Sequence, residues 1–369
     1  MSPSIQLTIV APQGRVCGIG DYAGFLANAL ENEFVLSWID PPPGPSAGDW
    51  LRAAAQADCA DVVHVHFEPS LFSIPRPYIN RFATFMKRLR PPAMVTLHDA
   101  IPQLRPRFVE KRPYAFTDLV RDLAYVPFYL PWEKIQYQRA QHWLVHSPSL
   151  RDRLGQLVGH ERVSLALHPI PPAERVWSPA KAYSFDLISL GFVKAHKGYL
   201  KMLDVLSRLP HLTWVVAGGP QDHYDRIFAD RLMSAVKRCG LQDRVIMTGY
   251  LNRRDLEQLA VKCKAAVFPF EWAAGSGSLT WAIALGLPVL ATDLPALVQY
   301  REAGAGVELL PLNHCGSWPG LIDSLLQDMA SMTVLSNANR QFAHNHSYGA
   351  LADIVIPLYR RLAQAGRPS

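Results

Sequence analysis

Short apolar, β-branched runs recur along the chain, each followed by a stretch of helical period, and this alternation constrains the fold more than any single motif. The first half reads IQLTIV (5–10), a helix from about Asp21, FVLSWI (34–39), a helix near 51–58 and DVVHVHF (61–67). It continues with a helix near 80–90, AMVTLH (93–98), HWLVHS (142–147), a helix near 149–157 and RVSLALH (162–168). Wholly apolar strands separated by helices belong in a parallel sheet covered on both faces, so the fold class is α/β.

The rhythm stops once. PIPPAERVWSPAKAYS (169–184) holds four prolines and no periodicity, the signature of a linker. The alternation then restarts with FDLISLG (185–191), LTWVVAGG (212–219), RVIMTG (244–249), AAVFPF (265–270), LPVLATD (287–293) and GVELL (306–310). A chain of 369 residues exceeds what one core usually supports. The expected organisation is a Rossmann-like domain over 1–170, a linker over 171–184 and a second Rossmann-like domain over 185–345. A terminal helical stretch, 346–369, has the length to cross back onto the first domain.

Composition removes several classes. No run of 18 apolar residues is present, which argues against a membrane span, and the N-terminus lacks the basic and apolar regions of a signal peptide. A cytoplasmic protein is expected. The five cysteines are odd in number and widely spaced, with no CxxC pair, so reduced structural thiols are the expectation. A net charge of +6 suits an anionic ligand, a nucleic acid or an acidic membrane surface, and equally an ordinary basic surface. The segment 105–137 is rich in aromatic residues and arginine. Such a patch either packs as core or meets the inner membrane face and a lipid-linked acceptor.

Three loops carry chemistry. After the first strand, APQGRVCGIGDYAG places Gly14, Gly18 and Gly20 ahead of a helix, where the backbone turns sharply and amides face an anion. The spacing is not that of a dinucleotide fingerprint. At the start of the second domain, GFVKAHKGYLKML puts Lys194 and Lys197 on a loop that opens a helix, two ammonium groups suited to a departing diphosphate. Finally, Gly275-Ser276-Gly277-Ser278 lies between AAVFPF and a helix from about Leu279, where amides and hydroxyls are available to phosphate oxygens. One basic and one Gly/Ser-rich loop at strand ends of one domain favour a nucleotide diphosphate. The HxH of His64 and His66, with His168 and Asp99, raises the question of a metal, but no third ligand is identifiable and the chain contains no D-x-D pair.

The order of G-x-G, a strand ending in His-Asp, a proline-rich linker, GF-x4-KG, VAGGP, TGY and GSGSL-x6-GLPVLATD resembles the family 4 glycosyltransferases of the GT-B fold. The resemblance covers nearly the whole chain. It implies two Rossmann-like domains facing each other across a cleft and a retaining transfer of a hexosyl unit from a nucleotide diphosphate-sugar to an acceptor hydroxyl, in polysaccharide or glycoconjugate synthesis. With lysines and backbone amides in place of a D-x-D pair, transfer is expected to be independent of metal, with no cofactor beyond the nucleotide-sugar substrate and no nucleic-acid partner. On the basis of the resemblance Lys197 matches the diphosphate lysine, with Lys194 in support. Gly219 and Tyr250 lie where the nucleotide rests, and His98 approaches the donor sugar. Gly18, Ile19 and Gly20 match the loop that closes over diphosphate and acceptor, while Gly275, Ser276, Gly277, Ser278 and Leu279 complete the donor site. The family's paired glutamates would fall at Ala273 and Trp281, neither acidic, and Glu271 is out of register. That departure leaves the ribose contact unassigned and keeps two rivals open: a non-catalytic GT-B partner protein, and a GT-B sugar-nucleotide epimerase or phosphorylase.

Overall fold

The computed structural model describes residues 5–14, 17–42, 46–72, 81–98, 137–179, 182–273 and 275–366; all but Tyr137 of the aromatic segment 105–137 lies outside them. The chain divides into two compact units, Met1–Pro169 together with Tyr348–Ser369, and Ile170–Ser347.

Unit 1 is built on six parallel strands, β1 (Gln6–Val10), β2 (Val35–Ile39), β3 (Val62–Phe67), β4 (Ala93–Leu97), β5 (His142–Val145) and β6 (Val163–Leu165), in the order β2-β1-β3-β4-β5-β6. Alternate residues of β3 go to opposite faces, as the two-residue period of a strand requires. Val63 and Val65 join a core with Trp50, Phe82, Phe85 and Trp143 from the helices and strands on one side. Val62 joins a second core with Leu26 and Leu30 of the Gly18–Leu30 helix and Leu351, Val355 and Tyr359 of the Tyr348–Gly366 helix. The last helix is therefore part of unit 1, and its burial is substantial: Val355 is fully buried, worth about 1.5–3 kcal/mol for such a side chain. Arg360 adds an exposed ion pair to Glu33.

Unit 2 repeats the design with β7 (Phe185–Leu190), β8 (Trp214–Ala217), β9 (Val245–Met247), β10 (Cys263–Phe268), β11 (Val289–Thr292) and β12 (Val307–Leu310), all parallel, in the order β12-β11-β10-β7-β8-β9. Two helices, Trp318–Gln327 and Met329–Asn345, have no counterpart in the sequence reading. Asn339 of the second is fully buried and bonds Gly306 N–H, Gly306 C=O and Leu287 C=O, which ties the helix to the β11 and β12 end of the sheet. The proline-rich stretch is held by unit 2. Trp177 Nε1 donates to Cys263 C=O at 3.0 Å, and the buried Glu257 carboxylate accepts the amides of Glu174 and Arg175 at 3.1 Å each.

In each sheet the chain reverses its direction of travel once, between β1 and β3 in unit 1 and between β7 and β10 in unit 2. Loops at the carboxyl ends of strands diverge at such a switch point and leave a crevice, the usual ligand site of an open parallel sheet.

Candidate functional site

At the switch point of unit 2 the two loops singled out in the sequence converge over Gly191. This glycine follows β7 with φ +88°, a conformation that other residues rarely adopt. A methyl group there would lie 3.2 Å from Lys197 Nζ and 3.1 Å from Ser278 Cβ. Lys197 closes a short 3-10 turn, Ala195–Lys197, and Gly198 (φ +67°) caps it so closely that a side chain would meet the Pro269 carbonyl oxygen at 1.8 Å. The turn is braced by Glu271 N–H to His196 C=O at 2.8 Å and by the Lys201–Glu271 ion pair at 3.4 Å. Glu271 is thus engaged at the turn, by its backbone and by its carboxylate.

Lys197 is 8% exposed, so its ammonium is buried and not solvated. Its ammonium donates to Leu190 C=O at 3.3 Å and stands 5.3 Å from the centre of the Phe270 ring. Burial, and after it the neighbouring Lys194, pull its pKa down to about 7, with Asp225 opposing both. An amine so buried, whose direct contacts among the described residues are neutral, carries its charge at a cost that a neighbouring anion would relieve.

The Gly/Ser loop divides its work. Ser276 caps the Gly277–Ala284 helix, accepting from Leu279 N–H at 3.1 Å, and lies 3.1 Å from Ser278 Oγ. Leu279 is consequently a core residue with its amide engaged, whereas the first-turn amides of Gly277 and Ser278 have no intrahelical acceptor. Gly275 precedes them, with no atom of the described residues within 4 Å of the place of a side chain.

Beside this, Gly218 and Gly219 follow β8 without side chains. A methyl group on Gly218 would lie 1.9 Å from the Gly191 carbonyl oxygen, and one on Gly219 3.4 Å from Gly249. The strand stops at Ala217 rather than running through the glycines, which form a bare backbone shelf. Tyr250, 58% exposed, stacks with Phe192 at 6.2 Å and 20°. Phe192, Gly191, Gly218 and Phe270 lie beside the predicted residues and were not singled out in the sequence; the SLGF and AGG strand endings were the available signal. Of the glutamate positions, Ala273 lies in the loop, and Trp281 lies beneath Arg253, whose guanidinium is 5.6 Å from its ring.

In unit 1 the Gly18–Leu30 helix begins at Gly18, so Gly18-Ile19-Gly20 forms its first turn and not a loop ahead of it. The physical reason is Gly20: a side chain there would meet the Pro12 carbonyl oxygen at 2.7 Å, and only glycine permits the strand end to approach so closely. Facing this helix stand His66 in β3, His98 just after β4, His146 just after β5 and His168 after β6. All four rings lie 4.8–5.4 Å from the ring of Tyr22. Desolvation holds every one of them well below the usual histidine range, His146 to about 3 and His168 to about 4. These are neutral imidazoles, able to exchange hydrogen bonds with hydroxyl groups and carrying no charge at neutral pH. Among the described residues no group of three or more potential ligands is arranged to hold a metal ion, and no helix is long and apolar enough to cross a membrane.

Residues 177–342, nearly all of unit 2, match the family described as glycosyl transferases group 1. Over 98% of this chain and 90% of the relative, the sequence is 20% identical to the uncharacterized glycosyltransferase YqgM of Bacillus subtilis (strain 168). Among solved structures, sucrose-phosphate synthase of Thermosynechococcus elongatus superposes with a TM-score of 0.75 at 15% identity, covering 98% of this chain and all of that one. Anabaena HepE, in complex with UDP and glucose, gives 0.72 at 16% identity over 96% and 99% of the two chains. The architecture of two parallel six-stranded sheets is that of GT-B glycosyltransferases.

Proposed function

We propose that this GT-B glycosyltransferase, with its group 1 domain over residues 177–342, is a retaining, metal-independent hexosyltransferase that draws on a nucleoside diphosphate-sugar and builds a polysaccharide or glycoconjugate. The observation that carries the reading is Lys197. It is a buried cation whose direct contacts are neutral, at a switch point where Gly191 leaves room beside Ser278 and the first-turn amides of the Gly277–Ala284 helix. A diphosphate is the counter-ion this arrangement lacks. As the bond from the sugar's anomeric carbon to the diphosphate oxygen breaks, charge grows on that oxygen, and preorganised donors stabilise it more than they stabilise the ground state. The acceptor hydroxyl attacks from the face that the diphosphate leaves, and its proton passes to a departing phosphate oxygen. Lys194 adds positive charge beside Lys197, and His98 is the residue assigned to orient the sugar through a hydrogen bond. The glycine shelf and the Phe192–Tyr250 stack hold the nucleoside.

Solved complexes of HepE contain UDP and UDP-glucose, so uridine nucleotides are the first donors to try. Melting the protein against a panel of nucleoside diphosphates identifies the base, since a ligand bound only by the folded state raises the melting temperature. Transfer with the matching sugar nucleotide then proceeds at the same rate in EDTA as in magnesium. Activity lost in EDTA and restored by a divalent ion overturns metal independence, and no shift with any nucleotide overturns the donor site. The acceptor we assign is a lipid-linked saccharide met at the cytoplasmic membrane face.

Ala273 and Trp281, in the places of the family's glutamates, favour one second reading, a partner protein that binds nucleotide without turnover. Thermal stabilisation by a nucleotide combined with no transfer from any donor would select it.

A further inference from the structure

The histidine row of unit 1 contains a pair whose geometry fixes a proton. His66 Nδ1 lies 3.0 Å from His98 Nε2, with the rings nearly parallel at 24°. Both imidazoles are held neutral by burial, so one nitrogen of the pair donates and the other accepts. The choice is decided at the far side of His66, whose Nε2 is buried with no hydrogen-bond partner among the described residues. If His98 donated, His66 would carry its own proton on that Nε2, an N–H sealed away from any acceptor. If His66 donates from Nδ1, the sealed atom is only a lone pair. Orphaned buried N–H groups are the rarer of the two defects in folded proteins, so His66 donates. His98 then accepts at Nε2 and must carry its own proton on Nδ1.

Behind His66 lies His64, two residues earlier on the same face of β3, its ring centre 4.3 Å away and tilted by 38°; it is fastened at both nitrogens, by Tyr359 Oη at 2.8 Å and Thr96 Oγ1 at 2.7 Å. The rest of the row conforms: His146 Nδ1 donates to Ala166 C=O at 2.8 Å and His168 Nδ1 to Pro169 C=O at 3.1 Å, and a carbonyl admits no other polarity.

We propose that His66 is a positioning residue, which holds His98 in the Nδ1–H tautomer and so makes the more exposed imidazole a hydrogen-bond donor to a sugar hydroxyl oxygen. His66 is fully buried and touches no substrate; it acts through His98. The proposal rests on the reading of His98 as the residue that orients the sugar, and deepens it by naming the nitrogen and the polarity of the contact.

The test is a long-range 1H–15N correlation spectrum of protein labelled in its histidine rings, with His98 assigned from the signals missing in His98→Gln. The wild-type protein shows the His98 proton on Nδ1. In His66→Leu it moves to Nε2, the tautomer that free imidazole side chains favour, and kcat falls about tenfold while the donor KM changes little. His66→Asn, whose amide N–H occupies the place of the Nδ1–H, restores the tautomer and most of the rate. A wild-type His98 protonated on Nε2 overturns the proposal, and this measurement needs no variant to fold. So does a folded His66→Leu in which the proton stays on Nδ1, or in which it moves without loss of rate. Unchanged turnover in His98→Gln instead removes the reading beneath the proposal, a result distinct from either.

Discussion

The two units share a plan and differ at their strand ends. Each is a six-stranded parallel sheet that reverses direction once, yet unit 1 lines its carboxyl edge with neutral imidazoles whereas unit 2 buries a lysine beside glycines and serines. Every histidine of unit 2 is at least partly exposed, while four of unit 1's seven are buried and two more, His98 and His168, are packed into the same row. The difference teaches that one sheet geometry serves opposite electrostatic tasks. Unit 1 presents buried imidazoles held neutral, and unit 2 buries an amine whose charge burial makes costly.

Acid breaks this comparison most strongly. A histidine whose folded pKa lies below its unfolded value of 6.5 contributes stability that is present above 6.5 and lost as pH falls toward the folded value. His64 and His146 sit at about 3 and His168 at about 4, with His66 and His98 also low. Each contributes a loss of up to about 1.4 kcal/mol per pH unit below 6.5. Calorimetry at pH 7 and pH 5 is expected to show the transition of unit 1 falling far more than that of unit 2. Equal shifts in both would refute the imidazole account.

Lys197→Met tests unit 2, since methionine keeps the buried stem and removes the ammonium. Turnover is expected to drop by about two to three powers of ten, the scale of losing one preorganised stabilising group, with a much smaller change in donor affinity. Steady-state kinetics on the folded variant decides this. A rate equal to the parent's would mean that the diphosphate lies elsewhere.

A finer measurement sharpens the contrast. Because Lys197 titrates at about 7, against an ordinary 10.5, the free protein loses its ammonium as pH rises from 7 to 9, whereas a bound diphosphate favours the charged form. Binding therefore takes up a proton, and affinity for a nucleoside diphosphate weakens by up to about tenfold per pH unit above 7. Titration calorimetry in two buffers of different ionisation heat measures the uptake, which vanishes in Lys197→Met. The linkage also acts on stability with the opposite sense to that of a paired lysine: the folded state binds fewer protons than the unfolded one between pH 7 and 10.5, so this residue's contribution improves as pH rises through that window.

The sequence by itself determined the α/β class and the twelve strands, because buried parallel strands must be apolar throughout and their helices amphipathic, and both patterns are local. It also marked the Lys194–Lys197 and Gly275–Ser278 loops, since basic and small residues between a strand and a helix announce themselves by type. Tertiary structure alone decided the order of strands, and hence which loops meet. Gly191 and Phe270 lie 79 positions apart, yet both end up at Lys197 because β7 and β10 are neighbours. It likewise decided that Ser276 caps a helix, that Lys197 is buried, and that four histidines spread over a hundred residues surround one tyrosine. Burial and hydrogen-bond partnership depend on which segments are packed together, and packing between distant segments leaves no period in the chain to read.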